Sequence, residues 1–304
     1  MAIEFQDLKI FRDIAHEKSF VKAAKLNFLT QPAISIHLKH LEEELGAKLF
    51  DRAPHKVAIT KEGKLLLPHV EDLLVRYDNL KTRVAQTKHI PAGDIRIATV
   101  YSVGMYELAS FLKKFIRTYP EIHIHLQYRR ADIIYDLILK NKIDLGIAAY
   151  PDTRAKIKVT PFGTDHLVLI VPPRHHFAKC KHIRLHQIQG EPFIAFDPGI
   201  PTREAIDKVL ERLGIKVQIR MTNENIDTLK RAVEVGLGVS IVPSKTVREE
   251  IRKGTLKSIQ IDGVKLNRPL GILTLKERIL SFPIQLFIEM LTNKKLNSAL
   301  QYDI

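Results

Sequence analysis

Residues 23–52 read AAKLNFLTQPAISIHLKHLEEELGAKLFDR, and this run decides how the first part of the 304-residue chain folds. Ala23 and Ala24 belong to a short helical segment, Lys22 to Leu26, whose small side chains let another helix approach closely, and Asn27 to Thr30 break it as a turn. Thr30 can cap the next helix, and Pro32 is tolerated there because donors in a first turn lack intrahelical partners. Ile34, Leu38, Leu41 and Leu45 recur at i, i+4, i+7 and i+11 as one apolar stripe. Gln31, Ser35, Ile36, Lys39 and His40 are left wholly or partly outward, and Gly46 stops the helix. Ahead of this pair, Phe5, Leu8, Phe11 and Ala15 predict an opening amphipathic helix that ends at Ser19. Two short helices meeting at a tight turn, the second presenting small polar and basic groups, form the geometry that lays a helix in the major groove of DNA. No acid occurs from Lys18 through Leu41, whereas Lys18, Lys22, Lys25 and Lys39 can meet phosphates.

Beyond Thr60, itself a good N-cap, Leu66, Val70, Leu73, Tyr77, Leu80 and Val84 alternate by four and three. That is a heptad seam asking for a partner helix, the alternative being a helix packed on its own domain. Pro68 should bend this helix or leave one hydrogen bond unmade, at about 3 kcal/mol unless compensated. Ile90-Pro91-Ala92-Gly93 reads as a hinge. Strands follow at 95–100, 122–128 and 144–149 with helices at 108–116 and 131–140 between them. A second round takes strands 166–171, 193–196, 217–221 and 239–242 with helices 202–213 and 225–235, and the chain closes on a helix at 281–292. This βαβ order predicts two α/β lobes with parallel sheets and ligands at the carboxyl ends of their strands.

Ser102 and Thr202 each stand at the start of a helix. Two helix N-termini facing one cleft favour an anion such as a carboxylate, the alternative being two ordinary N-caps. Tyr101, Arg203 and Asn223 are weaker candidates for the same effector site. Charge is compatible: Lys plus Arg number 48 against 34 Asp plus Glu, for a net +14, which favours a polyanionic partner. Residues 1–90 hold 15 basic and 12 acidic groups, so most of the excess lies beyond them, as an anion-binding region or as a lysine-rich solvated surface.

Other chemistries find little support. Cys180 is the single cysteine, which excludes an intramolecular disulfide and fits a reducing cytoplasm. Glu4, Asp7, Lys9, Arg12 and Asp13 interrupt any apolar leader, and no apolar run reaches the roughly 20 residues that span a bilayer, so a cytoplasmic protein without a membrane partner is expected. His175, His176, Cys180, His182 and His186 cluster, but no pair has the spacing of a structural zinc site, and no metal or cofactor is expected. Gly236 and Gly238 lack the third glycine of a dinucleotide fingerprint, and Asp165-His166 has no serine nucleophile motif to serve, so the chain does not read as an enzyme.

Residues 23–52, with VAITKEG at 57–63, closely resemble the DNA-binding domain of LysR-type transcriptional regulators. The match includes Ala23-Ala24, Gln31-Pro32-Ala33, Ser35, Leu41-Glu42, Leu45-Gly46, Leu49-Phe50, Arg52, Thr60 and Gly63 at the family's spacing. The resemblance implies an N-terminal winged helix-turn-helix at 1–60 with its motif from Phe20 to Lys39, a linker helix and hinge at 61–90, and an effector domain at 91–304. The effector domain would have the periplasmic-binding-protein fold, lobe I being 91–162 with 268–304 and lobe II 163–267, crossing near Phe162 and Asn267. Val235-Gly236-Leu237-Gly238-Val239, Asp144-Leu145-Gly146-Ile147 and Pro269-Leu270-Gly271 match this part in pattern.

On this basis Thr30, Gln31, Pro32, Ala33, Ser35, Ile36 and Lys39 meet DNA from the recognition helix, and Arg52, His55 and Lys56 from the wing. Gln31 suits bidentate pairing with adenine, whereas Lys39, Arg52 and Lys56 add affinity with little sequence information. Ile36 departs from the polar or basic group usual in the family; it could contact a thymine methyl or read nothing. The implied protein is a regulator controlled by a small-molecule effector. It pairs through the linker helix as a dimer or a tetramer and reads an interrupted palindrome in double-stranded DNA, with RNA polymerase a candidate further partner. The alternative is a cytoplasmic small-molecule-binding protein or an enzyme using the same cleft.

Overall fold

Capping chemistry sets the breaks in the first part of the chain. A computed structural model describes residues 3–53, 56–86 and 91–294. It contains helices α1 (Phe5–Glu17), α2 (Phe20–Leu26) and α3 (Gln31–Leu45), then the antiparallel pair β1 (Phe50–Ala53) and β2 (Lys56–Ile59), then α4 (Lys61–Gln86). Between α1 and α2 Lys18 turns left-handed at φ 49°, and Ser19 Oγ accepts from Lys22 N at 3.3 Å. Thr30 Oγ1 accepts from Ala33 N at 3.4 Å, and Gly46 ends α3 at φ 63°. Ile10, Phe11, Ile14, Ala23, Ala24, Ile34, Leu38 and Leu41 fill the core between the three helices.

Two side chains depart from the expected stripes. Leu45 is 39% exposed, and Glu42 lies inside instead. Its Oε1 accepts from Leu49 N at 2.8 Å and its Oε2 meets Lys48 Nζ at 2.8 Å, so the carboxylate holds the approach to the wing and is satisfied while buried. Phe5 is exposed and stacks on Tyr77 at 4.5 Å, because α1 turns Ile10 and Ile14 to the core. The α4 seam divides: Val70 and Leu74, with partly buried Leu66 and Leu67, join the helix-turn-helix core, while Leu73, Tyr77, Leu80 and Val84 are exposed. Pro68 lies within α4 without ending it. Thr60 Oγ1 accepts from Gly63 N at 3.0 Å at its start.

The contacts of the chain divide into two units, Met1–His89 with Glu277–Ser281, and Ile90–Lys276 with Phe282–Ile304. In the second unit β3 (Gly93–Thr99) leads to α5 (Tyr101–Val103), a π turn at Gly104–Leu108 and α6 (Ala109–Thr118). Then come β4 (Ile122–Tyr128), α7 (Ala131–Leu139) and β5 (Leu145–Ala149). The long β6 (Ile157–Val171) crosses to the second lobe, formed by β7 (His182–Arg184), β8 (Pro192–Phe196), α8 (Pro201–Arg212), β9 (Gln218–Asn223), α9 (Ile226–Glu234), β10 (Ser240–Pro243), α10 (Arg248–Lys253) and β11 (Lys257–Asp262). β12 (Asn267–Leu275) crosses back, and α11 (Phe282–Thr292) packs Phe287 edge-on to Phe115 of α6 at 5.0 Å.

The sheets are mixed rather than all parallel. β3 pairs in parallel with β4 and β5, and β8 with β9. β12 runs antiparallel to β5 and β6, and β10 and β11 run antiparallel to β6. The reason is topological: one crossing strand leaves the first lobe and the other returns to it, so the two oppose one another and impose that direction on their neighbours. The Gly236/Gly238 pair has a packing role. Gly236 sits at φ 83°, and a Cβ on Gly238 would come 2.5 Å from the Pro192 carbonyl oxygen, where the chain passes β8.

Candidate effector cleft and DNA-reading face

On the first unit, Thr30, Gln31, Pro32, Ile36 and Lys39 are exposed on α3, and Ala33 and Ser35 are half-buried. Lys39 also pairs with Glu43 at 3.3 Å. Arg52 lies on β1 and Lys56 on β2; His55 lies outside the described residues. An arrangement not legible in the sequence holds α3 in place. Asp7 of α1 is 1% exposed, and its carboxylate accepts from His37 Nδ1 at 2.7 Å and His40 Nδ1 at 2.8 Å. Burial alone would raise the Asp7 pKa, but these hydrogen bonds and one from the Glu4 backbone outweigh it and hold the carboxyl below its ordinary value. His37 and His40 therefore tie α3 back to α1, while Ser19 caps α2 and Thr30 caps α3.

In the second unit a cleft of about 190 Å³ opens between the lobes. It is lined at the starts of four helical segments: Tyr101-Ser102, Ala131-Asp132, Pro201-Thr202 and Ile226. Three of these begin without a side-chain cap, after Val100, Arg130 and Ile200. With no side chain capping these three starts, the positive end of the helix dipole there favours a negative group. The fourth is capped by Asn225, which accepts from Asp227 N at 2.8 Å.

Arg268, near the start of β12, joins the two sides. Its Nη2 donates to Ser102 Oγ at 2.7 Å and its Nε to Thr202 Oγ1 at 3.3 Å. The residue is 3% exposed, and burial pushes the guanidinium pKa down, opposed by Asp165, Tyr150 and Glu107. Because both hydroxyl oxygens accept from Arg268, their protons are free to turn into the cleft and donate to an acceptor-rich ligand. Neither hydroxyl acts as a helix N-cap.

The remaining candidates separate. Tyr101 lines the cleft, but its hydroxyl donates to Asp227 Oδ2 at 3.0 Å, and that bond, with burial, raises its pKa. Arg203 is directed elsewhere, with Nε on Asp207 at 2.6 Å and Nη1 on the Phe196 carbonyl at 2.8 Å, tying α8 to β8. Asn223 accepts from Asn225 N at 2.8 Å and shapes the turn before α9; neither it nor Arg203 is a lining residue. Arg268, Arg129, Arg130 and Tyr128 line the cleft and were not singled out from the sequence. The available signal for Arg268 was a cation opening an otherwise apolar strand.

Polar contacts also cross between the lobes beside the cleft. Tyr101 and Tyr106 both donate to Asp227, Lys230 Nζ meets Tyr106 at 2.7 Å, Asp227 at 2.8 Å and Glu250 at 2.7 Å, and Lys245 pairs with Glu107 at 2.6 Å. No helix among the described residues is long and apolar enough to cross a membrane.

Both parts of the chain match known families. Residues 5–64 match the family described as "Bacterial regulatory helix-turn-helix protein, lysR family", and residues 88–295 match the LysR substrate binding domain. A probable RuBisCO transcriptional regulator of Guillardia theta is 31% identical over 273 residues, 88% of each chain. The HTH-type transcriptional activator CmpR of Synechocystis is 29% identical over 283 residues, 93% of each. Among solved structures, a full-length OxyR variant from Pseudomonas aeruginosa superposes with a TM-score of 0.76 at 19% identity, covering 96% of this chain and 94% of that one, which supports the fold. The regulatory domain of Synechocystis CcmR in complex with 2-PG covers 68% of this chain and 99% of that one, at 26% identity and a TM-score of 0.62. The chain therefore belongs to the LysR family of transcriptional regulators, non-enzymatic DNA-binding proteins whose second domain binds an effector.

Proposed function

We propose that the effector is a small anion held in the cleft between residues 91–162 with 268–304 and residues 163–267, and that it governs how the helix-turn-helix at 1–60 engages DNA. The observation that carries this reading is the convergence of uncapped helix starts on a cleft where Arg268 turns Ser102 and Thr202 into outward donors. The likeness to the CcmR regulatory domain solved with 2-PG adds support. Gln31 and the exposed face of α3 read bases, and Lys39, Arg52, His55 and Lys56 hold the backbone. The exposed half of the α4 seam, Leu73, Tyr77, Leu80 and Val84, pairs with a second copy, so that two recognition helices face an interrupted palindrome. The protein works in the cytoplasm as a dimer or tetramer, with RNA polymerase as the partner that reads its output.

The test combines two measurements on the full chain. Fluorescence anisotropy with DNA from upstream of its own coding sequence should give binding that weakens steeply with salt. Thermal shift against inorganic phosphate, sulfate and 2-PG should give stabilisation by at least one anion and none by a neutral analogue of the same size. Anion stabilisation without any DNA retention at low salt would overturn the DNA part; DNA binding with stabilisation only by neutral ligands would overturn the anion part.

A further inference from the structure

His175 and His176 open the short turn after β6, and Glu191 lies immediately before β8. Sequence spacing alone sets the histidines aside, because their further ligand comes from outside the His/Cys cluster. In the fold, His175 Nε2 lies 3.4 Å from Glu191 Oε2 and His176 Nε2 lies 3.4 Å from Glu191 Oε1, and one ligand atom from each residue falls within 4.8 Å of the others. A charge-assisted N–H···O bond settles at about 2.7–2.9 Å, as His37 and His40 do on Asp7 at 2.7 and 2.8 Å. The His175 and His176 nitrogens face different oxygens of the one carboxylate, at distances longer than such a bond, so an ion held by all three groups would take Glu191 through both oxygens or after a small rotation of its carboxylate.

We propose that His175, His176 and Glu191 bind a divalent transition-metal ion of the zinc class, with water completing the coordination. Two imidazoles and one carboxylate suit zinc, nickel or copper and are a poor set for magnesium or calcium. The ligands stand on fixed backbone. His175 N donates to the Pro172 carbonyl at 3.0 Å and Ala178 N to the His175 carbonyl at 2.9 Å, and Phe177 between them is buried. Glu191 N donates to the Ile188 carbonyl at 3.1 Å, and its own carbonyl accepts from Gln218 N at 2.9 Å. His176 is 62% exposed on its side chain, which leaves a path of entry. His175 Nδ1 accepts a long bond from Phe177 N at 3.3 Å. When Nε2 takes the metal the ring proton resides on Nδ1 and this one contact is given up, while the two backbone bonds of the turn remain. The ion would fasten the turn at 176–179 to the start of β8, within the second lobe.

The experiment uses the full chain after chelator treatment, titrated with Zn²⁺ by calorimetry and with Co²⁺ by visible absorption. One Zn²⁺ per chain with a micromolar or tighter Kd, unaffected by excess Mg²⁺, is expected. H176A and E191Q should each weaken it by about tenfold or more with unchanged far-ultraviolet circular dichroism, while H182A and C180S retain it. Parent-like zinc binding in H176A and E191Q would overturn the proposal, as would loss of binding in C180S or a Kd in the millimolar range. Because no DNA or effector enters this assay, its outcome is independent of the regulatory reading.

Discussion

Replacing Arg268 by methionine separates effector recognition from folding. The guanidinium is 3% exposed, donates to Ser102 and Thr202, and its Nη1 has no hydrogen-bond partner among the described residues. Its burial is thus incompletely offset, and an apolar side chain of similar length should change folding stability by no more than about 2 kcal/mol in either direction. Anion binding should suffer more. The two hydroxyls lose the donor that orients them, at about 1 kcal/mol each, and the cleft loses a cation for about 1 kcal/mol more. The sum, about 3 kcal/mol, corresponds to roughly a hundredfold in Kd. The assay is a thermal-shift titration of parent, R268M and R268K with inorganic phosphate and 2-PG, reading both the ligand-free Tm and the concentration dependence of the shift. R268K should recover part of the affinity by restoring charge without the fork that spans both hydroxyls. Anion affinity within about threefold of the parent in a folded R268M protein would refute the role assigned to Arg268 and the reasoning about the hydroxyls with it.

Other substitutions probe the first unit and the oligomer. Asp7 is held below its ordinary pKa of 3.8 in the fold, so its stabilisation is fully present above that value and is lost as pH falls below it toward the folded pKa. D7N should therefore cost about 2 kcal/mol at pH 7, and the acid limb of its unfolding curve, followed by circular dichroism, should be flatter than the parent's; a parent-like pH profile would contradict this. L80E should shift sedimentation from dimer or tetramer toward monomer, since two copies of a Leu worth about 1.5–3 kcal/mol each leave the seam, and an unchanged sedimentation coefficient would place the interface elsewhere. Q31A should cost about 1–3 kcal/mol at one adenine position of the operator, whereas K39A should weaken binding to all sequences and lower the salt slope by about 1. Competition anisotropy with mutated operators distinguishes the two, and equal losses at every position for Q31A would remove it from base reading.

The helix-turn-helix was readable because its determinants are local. Ser19 and Thr30 cap within a few residues of themselves, Gly46 supplies a left-handed stop, and Ile34, Leu38 and Leu41 mark one face by spacing alone. The alternation of strands and helices over 95–149 and 193–242 was legible for the same reason, down to β4 at Ile122–Tyr128, but the periodicity did not mark β7, α10, β11, β12 or the first half of β6. Periodicity could not say what covers an apolar stripe: the α4 seam is continuous in sequence, yet Val70 meets the core of its own unit and Leu80 meets solvent. Nor could it give strand direction, which follows from the crossing of β6 and β12. The residues of the proposed sites, and the Asp7 cluster beside one of them, come together across long separations: Asp7 with His37 and His40, Ser102 and Thr202 with Arg268, His175 and His176 with Glu191. An ion pair or a shared hydroxyl leaves no period in a sequence, because its partners are joined by packing and not by chain spacing, and only the folded chain decides them.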